Sequence, residues 1–474
     1  MQLEDPPIPT TAGALTRDDV AALASQLHGA IALPGDANYD EARSVHIETD
    51  ARPALIVRAA GVADVVATIN FARERQLDLA VRSGGHSISG YSTLDGGMVL
   101  DLSQMKTFEL DPETRIVRLG AGLTWIEVCE ALHPYGLGLT AGDTASVGVG
   151  GLSVGGGIGW FVRKYGLTID RIRSIEVVTA DGQVITASAS EHPDLFWAMR
   201  GGGGNFGVAT SFEVEAHPAG MVYGGAIFYY AREAASVLPA YASYAASAPD
   251  ELTTMALIML APPAPFIPPD MVGKPVVGLA MIYGGDFEEG NRVVDPLRKL
   301  GTPIADIVGP MPYPAIFQFT MDAAVKNLRE RLGSVMVDTV DDALINALLD
   351  AGAADLPSHG ALVQFRVLGG AMRRVDAAET AFAQRDKGGM VMAVAYGYDD
   401  AGAERHEAWA DRCAAAMRPF GTGMYVGFVP HDGQDHTNEV YPPATLERLR
   451  AVKRQYDPTN FFHHNLNVTP AEEE

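Results

Sequence analysis

The chain has 474 residues, 47% of them hydrophobic and 20% charged, which allows a large core and roughly two to three domain-sized units. Its formal net charge of −24 repels phosphate backbones, and this argues against a nucleic-acid partner. Two cysteines, Cys129 and Cys413, are too few for a disulfide framework. The N-terminal residues lack the pattern of a signal peptide, and apolar runs stop well short of the ~20 residues of a membrane helix, so we expect a cytoplasmic chain without a membrane partner.

Residues 1–217 predict an N-terminal domain that opens with alternating helices and strands. Asp181-Gly182 is a strong hairpin turn signal between two of the strands. Apolar periodicity predicts helices at 17–29, 62–74, 125–132 and 192–200, and strands at 53–58, 78–82, 98–102, 116–119, 174–180, 183–187 and 208–215.

Residues 218–440 predict a second domain, in which strands alternate with helices around one large antiparallel sheet. A proline-rich loop occupies 262–269, and the tail 441–474 begins with a helix at 443–454. The predicted strands are 223–230, 252–260, 275–283, 361–367, 390–398 and 424–429, and the helices are 232–247, 288–299, 341–352 and 403–418. The whole chain is therefore expected to have an α+β fold.

Two glycine clusters in the N-terminal domain indicate a site where backbone N–H groups wrap an anion. The first, Arg82-Ser-Gly-Gly-His-Ser87, follows a strand, and the second runs from Ala141 to Gly159. A pyrophosphate held between two such loops would account for both. The strict GxGxxG match at 202–207 follows a helix and precedes a strand, the reverse of a Rossmann nucleotide site.

At these residues the chain resembles a known enzyme family, the berberine-bridge-enzyme-like FAD-linked oxidases of the vanillyl-alcohol-oxidase superfamily. The resemblance is carried by RSGGHS at 82–87, SVGVGG at 146–151, GGGIGW at 155–160, RKYGLTID at 163–170, DLFWAMRGGGGNFG at 194–207 and YDPTNFF at 456–462. It implies an FAD-binding domain built from 1–217 together with 441–474, and a substrate-binding domain at 218–440. Within the family, the chain resembles the monocovalent bacterial members, such as the 6-hydroxynicotine oxidases and the oxygenase that tailors a polyketide through a flavin N5-oxide.

The resemblance implies that His86 bonds covalently to FAD, and a neutral imidazole suits this role because it is a nucleophile near neutral pH. Many members add a second bond from a cysteine, but the matching residue here is Thr144, so we expect a single link. Leu466 and Gly427 also depart from the family pattern, in which Gln and Asn are common. The other residues expected at the cofactor are Arg82, Ser83, Gly84, Gly85, Ser87, Gly142, Asp143, Val147, Gly148, Gly150, Gly151, Gly155, Gly156, Gly157, Gly159, Gly207, Val208, Asn465 and Asn467.

The implied reaction moves a hydride from an alcohol, amine or phenolic carbon of a small or secondary metabolite to flavin N5, and O2 reoxidises the flavin to give H2O2. The family base is commonly a tyrosine, and the candidates are Tyr441, Tyr396, Tyr398 and Tyr425. An N5-oxide oxygenase, an O2-unreactive dehydrogenase and a flavin-binding protein without a base stay open as alternatives. His463-His464 has no third ligand at a sensible spacing, so no metal is expected. The sequence leaves the substrate and the oligomeric state open.

Overall fold

A computed structural model describes residues 8–10, 13–324, 326–431 and 435–472. The strands in chain order are β1 (Ile8–Thr10), β2 (Gly13–Leu15), β3 (Ala30–Ala32), β4 (Leu55–Arg58), β5 (Leu79–Arg82), β6 (Met98–Asp101), β7 (Phe108–Asp111), β8 (Ile116–Gly120), β9 (Leu137–Gly138), β10 (Ile172–Val178), β11 (Val184–Ser188), β12 (Val208–Glu215), β13 (His217–Pro218), β14 (Met221–Tyr230), β15 (Leu252–Leu260), β16 (Pro275–Tyr283), β17 (Pro303–Asp306), β18 (Gly309–Pro312), β19 (Glu330–Val337), β20 (Ala361–Val367), β21 (Gly389–Tyr396) and β22 (Gly421–Gly423).

The helices are interspersed among these strands, which confirms the predicted α+β class. In chain order they are α1 (Arg17–Ala24), α2 (Tyr39–Arg43), α3 (Val62–Glu74), α4 (Trp125–Leu132), α5 (Val149–Gly155), α6 (Val162–Tyr165), α7 (Pro193–Met199), α8 (Ala234–Ser247), α9 (Phe287–Val294), α10 (Asp342–Asp350), α11 (Ala371–Arg374), α12 (Ala403–Met417), α13 (Thr437–Val440) and α14 (Pro443–Tyr456).

Three larger sheets organise the described residues. The small sheet has the order β3-β4-β6-β5, with β6 parallel to both of its neighbours. The middle sheet, β11-β10-β12-β8-β7, is antiparallel throughout. The large sheet, β17-β14-β16-β15-β20-β21-β19-β22 with β18 also beside β14, is antiparallel as the sequence predicts.

The large sheet has two different faces. Helices α8, α10 and α12 bury one face, where Tyr241, Leu348 and Trp409 share a core with alternate residues of the strands. The other face turns towards the first two sheets and the glycine loops. The core on that side combines residues of 15–222 with residues of the C-terminal segment such as Leu449 and Val468. The exact domain boundaries at 217 and 440 stay a prediction.

Several predicted elements differ from the structure for local reasons. The strand predicted at 424–429 is wrong: the segment forms a short 3₁₀ turn, Val426–Phe428, closed by a hydrogen bond from the Phe428 N–H to the Tyr425 carbonyl. The helix predicted at 288–299 ends at Val294 because Pro296 follows. Strand β19 was not predicted, although it lies between β21 and β22.

The first helix is also shorter than predicted. It ends at Ala24 rather than continuing to residue 29. The backbone N–H groups of His28 and Gly29 donate instead to the buried carboxylate of Asp64, at 2.8 and 2.9 Å. This pair of hydrogen bonds draws the chain out of the helix and into β3.

Candidate active site

A cavity of about 1200 Å³ lies between the bare face of the large sheet and the glycine loops. The first loop follows β5, and the second precedes and enters α5. The C-terminal segment closes a third side through Phe462, His464 and Asn465. A space of this size, shared by three separated parts of the chain, is where a cofactor and a substrate can meet.

The two glycine loops touch each other directly. A Cβ on Gly84 would lie 2.4 Å from the Gly148 nitrogen, so glycine is needed there for the two backbones to approach. Ser83 ties the loops together, because its hydroxyl donates to the Ala121 carbonyl at 2.6 Å and accepts from the Gly150 N–H at 3.2 Å. The loops therefore form one continuous wall of the cavity.

His86 stands where the two loops meet. Its Nε2 lies 2.8 Å from the Ser146 hydroxyl of the second loop, and its ring stacks on His46 with centroids 4.7 Å apart. Burial, together with the neighbouring His46 and Lys326, lowers the pKa of His86 to about 3. The imidazole is therefore neutral at physiological pH, which is the state required of a nitrogen nucleophile.

A carboxylate of the large sheet lies beside His46, the residue on which the His86 ring stacks. Glu330, at the start of β19, lies with its Oε2 3.2 Å from His46 Nε2, and the two side chains are only 6% and 11% exposed, respectively. Glu330 also lines the cavity and is paired in register with Tyr396 of β21. Glu330 was not among the predicted site residues because β19 was not predicted.

Most of the residues predicted at the cofactor line this cavity. They are Ser83, Gly84, Gly85, His86, Ser87, Gly142, Asp143, Thr144, Val147, Gly148, Gly150, Gly151, Gly155, Gly207, Val208 and Asn465. The structure brings them together from the two loops, the start of β12 and the C-terminal segment.

Five of the residues predicted at the cofactor do not line the cavity. Arg82 is buried in an ion pair with Asp101 at 2.8 Å and supports the first loop from below. The glycines serve close packing: a Cβ on Gly157 would lie 2.3 Å from Thr168, and one on Gly159 would lie 2.2 Å from the Ala141 carbonyl. The members of this group are Arg82, Gly156, Gly157, Gly159 and Asn467.

The wall fits a cofactor with a diphosphate and a polar ring edge. Glycine backbones leave their N–H groups accessible to phosphate oxygens. At the other end, the Asn465 amide nitrogen donates to the Phe462 carbonyl at 3.0 Å, while its buried Oδ1 has no hydrogen-bond partner among the described residues. A buried acceptor of this kind costs stability unless a ligand satisfies it, so the residues present fit FAD.

A buried ion pair joins the second loop to the large sheet. The Arg366 guanidinium of β20 pairs with the Asp143 carboxylate and donates through Nε to the Gln364 amide oxygen at 2.6 Å. Thr144 Oγ1 donates to the same carboxylate at 3.3 Å. Asp143 and Thr144 line the cavity as predicted, and Arg366 and Gln364 join them from a strand whose side chains the sequence did not single out.

The four candidate tyrosines occupy different environments. Tyr396, Tyr425 and Tyr441 line the cavity. The Tyr441 hydroxyl donates to the Gly201 carbonyl at 3.3 Å, and the Tyr425 hydroxyl accepts the Gly157 N–H at 3.1 Å. Burial raises the pKa of both phenols, so little phenolate is present near neutral pH to take up a substrate proton.

Tyr398 lies outside the cavity. The strand ends at Tyr396, and Gly397 has a φ of +69°, so the chain turns before Tyr398. The Tyr398 ring stacks on His406 at 4.7 Å behind the sheet, and burial beside Glu407 raises its pKa to about 12. This turn separates the side chains of Tyr396 and Tyr398.

Comparisons with known proteins agree with this geometry. A family model described as "FAD binding domain" matches residues 53–188, and one described as "Berberine and berberine like" matches 424–469. (R)-6-hydroxynicotine oxidase of Paenarthrobacter nicotinovorans is 31% identical over 461 residues, which cover 94% of this chain and 97% of that protein. The chain belongs to the berberine-bridge-enzyme-like family of FAD-linked oxidases. The resemblance seen in the sequence is thereby confirmed, and the protein is an FAD-dependent oxidoreductase.

Other relatives of this family cover the chain equally well. An uncharacterised FAD-linked oxidoreductase of Bacillus subtilis is 31% identical over 457 residues, 94% of this chain and 98% of that protein. The crystal structure of 6-hydroxy-D-nicotine oxidase from Arthrobacter nicotinovorans superposes with a TM-score of 0.82 at 28% identity, over 94% of this chain and 98% of that one. A xylooligosaccharide oxidase from Myceliophthora thermophila has a TM-score of 0.82 at 24% identity, over 96% of this chain and 100% of that one, and it shows the shared fold alone.

Two further features concern the described part of the chain. Within it, no group of three His, Cys, Asp or Glu side chains is placed to hold a metal ion. Across the same residues, no helix is both long enough and apolar enough to cross a membrane.

Proposed function

We propose that this protein is an oxidase that removes a hydride from an alcohol, amine or phenolic carbon of a small metabolite, with FAD attached through one covalent bond to His86. The observation that carries the proposal is the junction of the two glycine loops. A half-buried, neutral His86 lies there on the wall of the cavity, held by Ser146. When bound, FAD supplies the redox chemistry, accepting the hydride at N5 and passing the electrons to O2 with release of H2O2.

Attachment through a single bond follows from the second loop. Thr144 lines the cavity where many relatives carry a cysteine, and a hydroxyl does not form the thioether bond of those relatives. The two cysteines of this chain, Cys129 and Cys413, are buried elsewhere. His86 is therefore the one group that we assign to covalent attachment.

The large sheet supplies the groups that handle the substrate proton. Tyr396 and Glu330 are cross-strand neighbours that both line the cavity. We assign the base role to this pair: Tyr396 Oη accepts the proton of the substrate O–H or N–H and passes its own proton to the Glu330 carboxylate. A relay of this kind avoids a free tyrosinate, whose reference pKa near 10 would make it scarce at neutral pH.

The remaining walls hold the substrate and exclude water. The Asp143–Arg366 ion pair fixes the second loop against the sheet, so that the two walls of the cavity keep their separation. Apolar residues of β15 and β21, such as Leu257 and Met392, cover the substrate side. A dry site strengthens the electrostatic interactions that guide hydride transfer.

The test is a balance of substrate, O2 and H2O2. The purified holoenzyme is given a panel of aromatic alcohols, amines and phenols that includes 6-hydroxynicotine, and O2 uptake and H2O2 release are measured together. One H2O2 per oxidised substrate supports the oxidase. Uptake of O2 without matching H2O2 would indicate an oxygenase, and flavin that is reduced by substrate but is stable in air would indicate a dehydrogenase.

A further inference from the structure

The cavity-facing side of the large sheet carries a row of residues that crosses four neighbouring strands. Phe228 of β14 pairs in register with Gly278 of β16, Gly278 with Leu257 of β15, and Leu257 with Gln364 of β20. Residues directly opposite one another in an antiparallel sheet point to the same face, and all four line the cavity. The row is therefore a continuous floor.

The two ends of this floor differ in chemistry. At one end, Gln364 and the neighbouring Arg366 are polar, and Gln364 pairs in register with Met392 of β21, four residues before Tyr396. From Leu257 to Phe228 the side chains of the row are apolar. The row thus runs from a polar end to an apolar end.

The far end is built from aromatic and thioether groups. Phe266 of the proline-rich loop stacks on Phe228 with centroids 5.7 Å apart and planes at 28°. Met259 lies beside them and lines the same space, as do Pro262 and Pro263. Aromatic faces and methionine sulfurs both pack favourably against aromatic rings.

Gly278 keeps the middle of the floor open. A Cβ built there meets Phe228 Cε1 at 3.4 Å and the Met259 sulfur at 3.8 Å, so it points into the cavity between these side chains. Any larger side chain would stand in the path along the row. Three strand spacings of ~4.8 Å separate Gln364 from Phe228, which gives an open path of roughly 14 Å.

We propose that the substrate is a polycyclic aromatic compound whose polar end meets Gln364 and Arg366 and whose fused rings extend over Gly278 to the Phe228–Phe266 pair. That this compound is oxidised rests on the proposed function, but the ring site does not. Saccharides are excluded from this row, since hydroxyl groups placed over Leu257, Gly278 and Phe228 would lose hydrogen bonds to water without replacement. The polar side chains of Gln318 and His359 line the cavity only as exposed residues at its rim.

Binding can be measured independently of turnover. The fluorescence of 2-anthracenemethanol is titrated with the purified holoenzyme, and 2-naphthalenemethanol, benzyl alcohol and xylobiose are then tested as competitors. We expect Kd to fall by about tenfold for each added ring, because each ring buries further apolar area. Xylobiose is expected to leave the probe bound. Equal affinity across the three alcohols, or displacement by xylobiose at similar concentration, would overturn the proposal.

A larger side chain at Gly278 tests whether the rings of the substrate lie over this residue. Gly278→Val should raise the Kd of 2-anthracenemethanol at least about tenfold and that of benzyl alcohol by less than about threefold. Gly61→Val is the matched control, because a Cβ on Gly61 meets no atom within 4 Å and the residue lies outside the cavity. The same loss with both variants would contradict the assignment. The titration of the three alcohols uses the wild-type protein, so the proposal stays testable even if Gly278→Val does not fold.

The outcome also separates this inference from the proposed function. If affinity rises with the number of rings but the flavin is not reduced, the result supports the ring site and counts against hydride transfer from these alcohols. Flavin reduction by small alcohols with no dependence on ring number supports the proposed function and overturns the ring site.

Discussion

Replacing Lys453 by Met should loosen the C-terminal segment that closes the cavity. The Lys453 ammonium of α14 is fully buried and donates to the Asn205 carbonyl at 2.7 Å, the Phe462 carbonyl at 2.9 Å and the Asp457 carboxylate at 2.7 Å. These bonds join α14 to the turn at 202–207 and to the C-terminal segment that carries Asn465. The Asp457 carboxylate is also fully buried and accepts the Phe462 N–H at 2.8 Å.

The size of the effect follows from the charge left behind. Lys453→Met leaves Asp457 buried without its counter-charge, and breaking a buried pair in this way costs about 3–5 kcal/mol. At roughly 2–4 °C per kcal/mol for a domain of 150–250 residues, the melting temperature should fall by about 6–20 °C. Adding Asp457→Asn removes the unpaired charge and should recover part of the loss.

The assay is urea unfolding of the holoenzyme followed by flavin fluorescence, which reports the part of the chain around the cavity. Arg450→Met on the same helix is the control, because Arg450 is exposed and its loss should change stability by less than about 0.5 kcal/mol. A cost below about 1 kcal/mol for Lys453→Met, or a double variant no more stable than the single one, would refute this account of the segment.

Three further predictions test other parts of the structure. Tyr396→Phe should slow flavin reduction by about 10²-fold or more and alter its pH profile, whereas Tyr398→Phe, behind the sheet, should change it little; equal effects would contradict the assignment of Tyr396. His217 is buried and its pKa is lowered by burial, so the unfolded chain binds a proton that the folded chain does not, and stability falls as pH drops below about 6.5. Between pH 7 and 5.5, the free energy of unfolding measured in urea should therefore fall by about 1.2 kcal/mol less for His217→Phe than for the wild type. Identical falls would show that His217 is not the group responsible. Thr144→Cys should create a second flavin–protein bond, detected by mass spectrometry as a flavin-linked peptide containing residue 144, with Thr144→Ser as the control; a free thiol at this position would show that Thr144 does not face the cofactor ring.

The sequence was most informative where local chemistry determines the structure. The glycine clusters, together with the family resemblance, identified the loops that meet at Gly84 and Gly148, because a close approach of two backbones demands glycine. Strands β15 and β20 have the predicted bounds, since each is a mostly apolar segment of strand length flanked by Gly or Pro. These features depend on residues that are near one another in the chain.

The features that were missed depend on contacts between distant segments of the chain. Glu330 reaches His46 across almost 300 residues, and Arg366 reaches Asp143 across more than 200, so neither contact has a local signal. Tyr396 and Tyr398 show a similar limit over a short distance. Both were candidate bases, but the turn at Gly397, with its positive φ, leaves Tyr396 on the cavity and places Tyr398 on the other side of the sheet.

The central claim is that FAD is bound to His86 through the one covalent bond of the site, and acid precipitation of the purified holoenzyme tests it most directly. We expect the yellow colour to stay with the precipitated chain, a flavin-linked peptide to contain His86, and His86→Ala to release all flavin into the supernatant. Flavin in the supernatant of the wild-type protein, or colour retained by His86→Ala, would contradict the claim.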